Sequence, residues 1–454
     1  MKKNVTKILS RAVLLLAVGT TLFIFTSCKR NDLPTGTPVK KHPADIAIAW
    51  IKMQQKLLVG TPNLFPHVAG RVYAYTGLTL YESIVPGMRD YQSLAPQLNG
   101  KLELPSIQQG NKYYWPASAN AALASILRNL LPHTTPELLG AIDSLEANFH
   151  TKFQTDANAE TLQRSADFGK RIAGAIFEWS KTDGGHEAYK SPFSDTYVPP
   201  TGPGKWVATG EFPFSQPVYP HWGDNREFVP GLAVATQPPP PPAYSEQPGS
   251  VFYEAVNEIY TMSQNLSRED SLNAKFWAYE LLDPKAVREF DDVSHAANIA
   301  TQMIVLKKFS LEDAAVLYCK HGIGGNDAAI SCIRTKFYYN LVRPITYIRT
   351  VLGHKGWNPV VPTPPFPEYT SAHATISMTN AMVLEATFGK NFSFTDHSFD
   401  GSYGPRSFDS FEAYGKQAAL SRLQAGIHYR FSMDEGLKQG KKVAELVNRI
   451  KFKK

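Results

Sequence analysis

"NDAAISCIRTKFYYNLVRP", residues 326–344, decides how the rest of the chain is read. Its apolar residues recur at helical spacing, with no two-residue alternation to suggest a strand. Lys336 and Arg343 stand seven apart, which on a helix of about 3.6 residues per turn puts both on one face, about 10 Å apart along the axis. Pro344 disfavours helical backbone at the residue before it, so the helix is expected to end at Arg343. Two cations would then reach one point, Lys336 from the side and Arg343 from the helix end. Taken alone, they are more simply ordinary surface cations.

Two later stretches change that balance. In "FPEYTSAHATISM" (366–378), the preceding prolines stop any earlier helix, and Thr370 or Ser371 is suited to cap the next one. The free N–H groups of a first turn and the positive end of the helix dipole make an anion site. Ser371 adds a hydroxyl there and His373 an imidazole. Alone, capping explains Ser371 and leaves His373 as a packed histidine. In "SRLQAGIHYRFSMDEG" (421–436), Arg422 and His428 are six apart, about 240° round a continuous helix, so one helix cannot aim both inward. Gly426 offers a helix C-terminus between them. Ser432 and Glu435 form a capping-box pattern for another helix. Three cations in one pocket repel each other unless a multivalent anion lies among them.

The remainder reads as helix after helix. "DIAIAWIKMQQKLL", "AGRVYAYTGLTLYESI", "PELLGAIDSLEANFHTKF" and "TLQRSADFGKRIAGAIFEW" carry the period in the first half. "VFYEAVNEIYTMSQNL", "SLNAKFWAYELL", "FDDVSHAANIATQMIVLKKF" and "SLEDAAVLYCKHG" carry it in the second. No strand alternation and no internal repeat stands out. The expectation is an all-α multi-helix bundle, one domain over 46–454 with the motif-bearing core at about 270–450. Residues 183–250, rich in Gly, Pro and aromatics, are irregular, either the wall of a site or a crossover connection. The polar, aromatic loop 391–411 reads as a means of shaping access. His67, His295, His354 and His397 have no ligand-spaced partners and read as packing or surface residues.

At the N-terminus, a basic "MKKNVTKILSR", an apolar "AVLLLAVGTTLFIF" and "FTSC" ending at Cys28 read as a secretory signal over residues 1–27. The signal resembles a bacterial lipobox with Cys28 lipidated. Residues 28–45 read as a tether. No later stretch holds the ~18–20 uninterrupted apolar residues needed to span a bilayer. The expected placement is export with a lipid anchor at a bacterial membrane, in the periplasm or at the outer membrane or cell surface. Cys319 and Cys332 then read as two buried free thiols, and no spacing suggests a zinc or iron–sulfur site. The net charge of +7 is inflated by the signal and the C-terminal tail, and no aromatic-interleaved basic stripe suggests a nucleic-acid partner.

K-x6-R-P, S-x-H and S-R-x5-H, here "KFYYNLVRP", "TSAHA" and "SRLQAGIH", occur in order across residues 336–428. Together they resemble the vanadium haloperoxidase and type 2 phosphatidic acid phosphatase superfamily. The resemblance implies that Lys336, Arg343, Arg422, Ser371 and the Ala372 N–H hold the oxygens of a five-coordinate anion. It makes His428 the apical ligand or nucleophile and His373 the acid–base. With vanadate as cofactor on His428, it implies oxidation of halide by hydrogen peroxide. With a small phosphoester and no cofactor, it implies a phosphohistidine on His428. A tethered phosphate- or vanadate-binding protein without turnover is a third reading. "KFWAYE" (275–280) resembles the haloperoxidase segment whose acidic residue supports the pocket arginines, casting Glu280 in that role. Phe366 stands where chloroperoxidase-like members carry Phe and bromoperoxidase-like members His. The long helical N-terminal half favours the haloperoxidase branch. One departure is Ala372, where the family carries Gly; alanine is tolerated there only if φ is negative.

Overall fold

The computed structural model describes residues 36–62, 64–212, 215–278 and 292–454. The signal, Cys28 and Glu280 lie outside them. The helices follow the apolar periodicity. The N-terminal half contains α1 (Asp45–Gly60), α2 (Pro66–Ile84), α3 (Trp115–Leu130), α4 (Pro136–Phe153) and α5 (Ala159–Ser180). The short α6 (Leu232–Ala235) interrupts the irregular region, followed by α7 (Val251–Gln264), α8 (Arg268–Phe276) and α9 (Asp292–Leu306). Then come α10 (Leu311–Tyr339), α11 (Pro344–Thr350), α12 (Ala372–Phe388), α13 (Phe411–Gln424) and α14 (Arg430–Asn448). The fold is all-α, as expected. Among the described residues, no helix is long and apolar enough to cross a membrane.

Helix α10 organises the bundle. It packs on α2 on one side and on α12 and α14 on the other, and it is buried over most of its length. Such a helix must be apolar or satisfied all round. A Cβ added at Gly77 of α2 would lie 2.6 Å from the Tyr318 carbonyl, and one at Gly322 of α10 would lie 2.5 Å from that of Tyr73. Both glycines are therefore contact points where two helix backbones meet, not breaks. This corrects the division of 310–342 into two helices: burial outweighs the weak helix propensity of "GIGG".

Helix α10 also stops earlier than expected. Asn340 closes it in the left-handed conformation, φ 49°, which asparagine tolerates better than most residues. Leu341 then pairs with Lys205, and Arg343 caps α11 in extended backbone with Pro344 in the first turn. Lys336 and Arg343 therefore belong to different elements and do not share a helical face. A second correction concerns α14: it begins at Arg430 with Tyr429 as cap and no side-chain cap bond, so Ser432 is inside the helix and not its capping residue. Ser371 caps α12 through a bond from the Ala374 N–H. Gly426 follows α13 with φ +81°, ending that helix as read.

The irregular region wraps α10 and the loops at its end. Trp206 donates to the Asn340 carbonyl at 2.8 Å, Val342 donates to Gly204 at 2.9 Å, and Val218 donates to Pro365 at 3.0 Å. Asp327 of α10 accepts from the Phe228 and Val229 N–H groups, each at 2.9 Å. Of the two readings of 183–250, the wall holds. The loop 391–411 contains a hairpin missed by periodicity: β1 (Phe394–Asp396) pairs antiparallel with β2 (Arg406–Phe408). Each strand is three residues long, too short to show alternation.

Candidate active site

The residues singled out from the three motifs meet in one place. Lys336, Arg343, Ser371 and Arg422 are wholly buried, His428 is 2% exposed and His373 8%. Lys336 reaches from the side of α10, and Arg343 from the cap of α11. Ser371 and His373 open α12, Arg422 comes from the last turn of α13, and His428 lies in the turn between α13 and α14. After burial, the charges of Arg343, Lys336, Arg422 and His373 all act to lower the His428 pKa. Four helices and one turn thus supply six side chains.

Backbone carbonyls hold the cations in position. Lys336 Nζ donates to Glu368 O at 2.7 Å, to Pro367 O at 3.2 Å and to Thr370 O. Arg343 donates through Nε to Phe366 O at 2.9 Å and through Nη1 to Ile427 O at 3.0 Å. Arg422 Nη2 donates to Ala274 O at 2.9 Å. Burial pulls Lys336 down to about 8 and Arg343 down to about 10, because desolvation penalises the charged form. Phe366 packs its ring beside both, 5.3 Å from Lys336 Nζ and 5.2 Å from the Arg343 guanidinium carbon. These are cation–π distances.

Glu368 is the residue that sequence reasoning missed. It is wholly buried, and its Oε1 accepts from His428 Nδ1 at 2.7 Å and from the Tyr429 N–H at 3.0 Å. A carboxylate at Nδ1 fixes that nitrogen as the protonated one and leaves Nε2 with its lone pair. Nε2 lies 3.3 Å from Arg343 Nη1, facing the cations. Burial, then Arg343, Lys336 and Arg422, hold the His428 imidazolium well below its ordinary range. Burial raises the Glu368 carboxyl to about 7, against the pull of Lys336 and Arg343. The signal for it was visible: an acidic residue inside the apolar run "PPFPEY", where nothing but a buried partner justifies a charge.

His373 Nε2 lies 2.8 Å from the Trp277 carbonyl. Since a carbonyl only accepts, Nε2 carries the proton, and proton exchange falls to Nδ1. The "KFWAYE" segment (275–280) comes against the site through the Trp277 carbonyl on His373, and the Ala274 carbonyl just before it meets Arg422. Ala372 sits in the first turn of α12 and is not among the residues with positive φ. The condition set for alanine in place of glycine is met.

The other histidines divide. His354 stacks on Tyr260 at 3.8 Å, and exposed His397 contacts Asp400. His67 is buried and packs edge-on against Phe366 at 5.7 Å, closer to the site than its lack of partners in sequence suggested. His295 pairs with Asp396 at 2.7 Å, both buried. Cys319 and Cys332 are buried free thiols. No group of three or more His, Cys, Asp or Glu side chains that could hold a metal ion occurs among the described residues.

Residues 316–452 match the family model of the VCPO second helical-bundle domain. No curated protein matches the chain. Among solved structures, the chain is similar to a bacterial vanadium-dependent iodoperoxidase, with a TM-score of 0.81 and 29% identity over 91% of this chain and 98% of that one. It also shares the fold of a bacterial vanadium-dependent chloroperoxidase. The holo form gives a TM-score of 0.62 at 16% identity, over 87% of this chain and 96% of that one. The apo form gives 0.62 at 15%, over 86% and 96%. A matching second bundle on the motif-bearing helices, with a fold shared almost end to end with the iodoperoxidase, supports the likeness of this chain to the vanadium haloperoxidase superfamily.

Proposed function

We propose that this protein is a vanadate-dependent haloperoxidase, oxidising halide with hydrogen peroxide at a site centred on His428. The observation that carries the reading is the charge balance. Three buried cations, Lys336, Arg343 and Arg422, surround a neutral imidazole whose Nε2 lies 3.3 Å from Arg343 and whose Nδ1 is held by Glu368. Buried charge of one sign is tolerated only with a counter-charge, and an oxyanion of two or more negative charges supplies it. The residues fit vanadate: His428 Nε2 to the central atom, with Lys336, Arg343, Arg422, Ser371 and the Ala372 N–H to its oxygens. Bound there, vanadate supplies the Lewis acidity that activates peroxide toward halide.

The chain's own groups do the rest. His373 Nδ1 takes up and returns the proton of the incoming peroxide. The α12 N-terminus and the cations hold charge that develops on the oxygens. Phe366 and the wall of residues 183–250 exclude water. The iodoperoxidase likeness at 29% identity supports iodide, with bromide next, as the halide. Apo protein loaded with orthovanadate is expected to oxidise iodide or bromide with peroxide, and excess phosphate is expected to suppress this. Absence of halide oxidation from pH 4 to 8, with p-nitrophenyl phosphate hydrolysed and vanadate acting only as inhibitor, would establish the phosphatase reading instead.

A further inference from the structure

His373 and Arg422 share a support that no motif reveals. Their partners, the carbonyls of Trp277 and Ala274, lie three residues apart at the C-terminal end of α8. Terminal helix carbonyls have no intrahelical partner, and here two side chains of the site use them. Helix α8 is only nine residues long, too short to hold its geometry by itself. Something must fix its last turn, because misplacement of about 1 Å at a reacting group is costly.

The β1–β2 hairpin does this through several independent contacts. Arg406 of β2 lies 3.8 Å over the Phe276 ring, and its Nη1 donates to Asn273 Oδ1 at 2.6 Å and to Gln417 Oε1 at 2.8 Å. Phe399 and Tyr403 of the connecting loop pack edge-on against Phe276 at 5.2 and 5.8 Å. The hairpin is itself pinned to α9. Asp396 Oδ2 accepts from His295 Nε2 at 2.7 Å, and Oδ1 accepts from the Ser398 N–H at 2.9 Å and from Gln302 at 3.2 Å. The His295 ring lies against Trp277 at 5.2 Å, which closes the circuit at the residue whose carbonyl meets His373.

We infer that the hairpin is the positioning element of the site, with Arg406 and Asp396 as positioning residues. They set the α8 carbonyls that orient the His373 imidazole and the Arg422 guanidinium. The inference builds on the anion-site reading but does not require halide turnover. Removing Arg406 leaves every residue of the site in place and frees the turn they lean on. Lying flat on a ring while one nitrogen donates to two acceptors suits the planar guanidinium of arginine, so lysine restores it only in part.

The test compares Arg406→Met, Arg406→Lys and, as a control on the exposed side of the hairpin, Thr395→Ala. Three readings are taken well below each variant's melting temperature: orthovanadate affinity by calorimetry, kcat and KM for iodide, and the His373 tautomer by nitrogen-15 NMR of the vanadate-free protein. Arg406→Met is expected to lower kcat about 10- to 100-fold, to weaken orthovanadate several-fold, and to mix the Nε2–H tautomer of His373. KM for iodide is expected to stay within twofold, Arg406→Lys to be intermediate, and Thr395→Ala to match wild type. If Arg406→Met lowers only the melting temperature, with affinity, kcat and tautomer unchanged, the hairpin is merely structural and the inference is overturned. If wild type lacks halide oxidation, the haloperoxidase reading fails, while the affinity and tautomer measurements still decide this inference.

Discussion

Glu368 has no place in the three motifs, yet it determines which nitrogen of His428 is available. Its carboxylate accepts at Nδ1, and an amide there offers a weaker acceptor or an unwanted donor. Glu368→Gln is therefore expected to weaken orthovanadate binding about 10- to 100-fold, the usual effect of a lost ligand-orienting partner, as read by calorimetric titration. An unchanged affinity would mean that the His428 tautomer is set elsewhere. Ala372→Gly is expected to leave vanadate affinity and kcat within twofold, because the backbone there is already helical with no positive φ. Its one effect is a loss of stability of about 0.5–1 kcal/mol from added chain entropy, measurable by denaturant unfolding. Residues whose chemistry requires a type at a spacing, such as Lys336, Ser371 and His428, were legible in the sequence. Glu368 was not, because its role depends on a contact across 60 residues that no local pattern encodes.

Among the elements, α10 reads in sequence as two periodic stretches, 310–322 and 326–342; only the fit of Gly322 against the α2 backbone shows that the helix runs through. The irregular wall was legible as irregular but not as a wall, since its ties to the bundle are contacts at long sequence separation, the buried Asp327 side chain among them. Asp327→Ala leaves the Phe228 and Val229 N–H groups without their acceptor. Each buried group left unsatisfied costs about 1–3 kcal/mol. The variant is expected to lose about 2–4 kcal/mol of unfolding free energy and to become sensitive to proteolysis within 215–231. If the loss is under about 0.5 kcal/mol, the wall is held by its other contacts. The β1–β2 hairpin was hidden for a different reason: at three residues per strand it leaves no period to detect.

For the whole molecule, buried titratable groups set a pH dependence of stability. Burial raises the carboxyls of Glu82, Asp327 and Glu368 to about 7. Between their ordinary values and about 7 the folded chain binds more protons than the unfolded one, so stability falls as pH rises through that range and the loss is complete above it. His67 and His321 are lowered by burial to about 4. Between about 4 and their ordinary 6.5 the unfolded chain binds more protons, so stability falls as pH drops. The two trends oppose each other between about 4.5 and 6.5, and above about 6.5 only the carboxyl trend remains. Unfolding free energy by urea titration is expected to be greater at pH 6 than at pH 8. A steady rise from pH 6 to 8 would show that the carboxyls are not buried as described.

The central claim is that His428, turned toward three buried cations by Glu368, is the group that holds vanadate for halide oxidation. Its most direct test is vanadium content and iodide oxidation, measured together on wild type and His428→Ala after loading with orthovanadate and desalting. The account predicts close to one vanadium per chain and peroxide-dependent oxidation in wild type. In the variant it predicts activity lowered by more than about a thousandfold, with weakened anion binding persisting on the remaining cations. Equal iodide oxidation by wild type and His428→Ala, or wild type that retains vanadium and oxidises no halide, would contradict it.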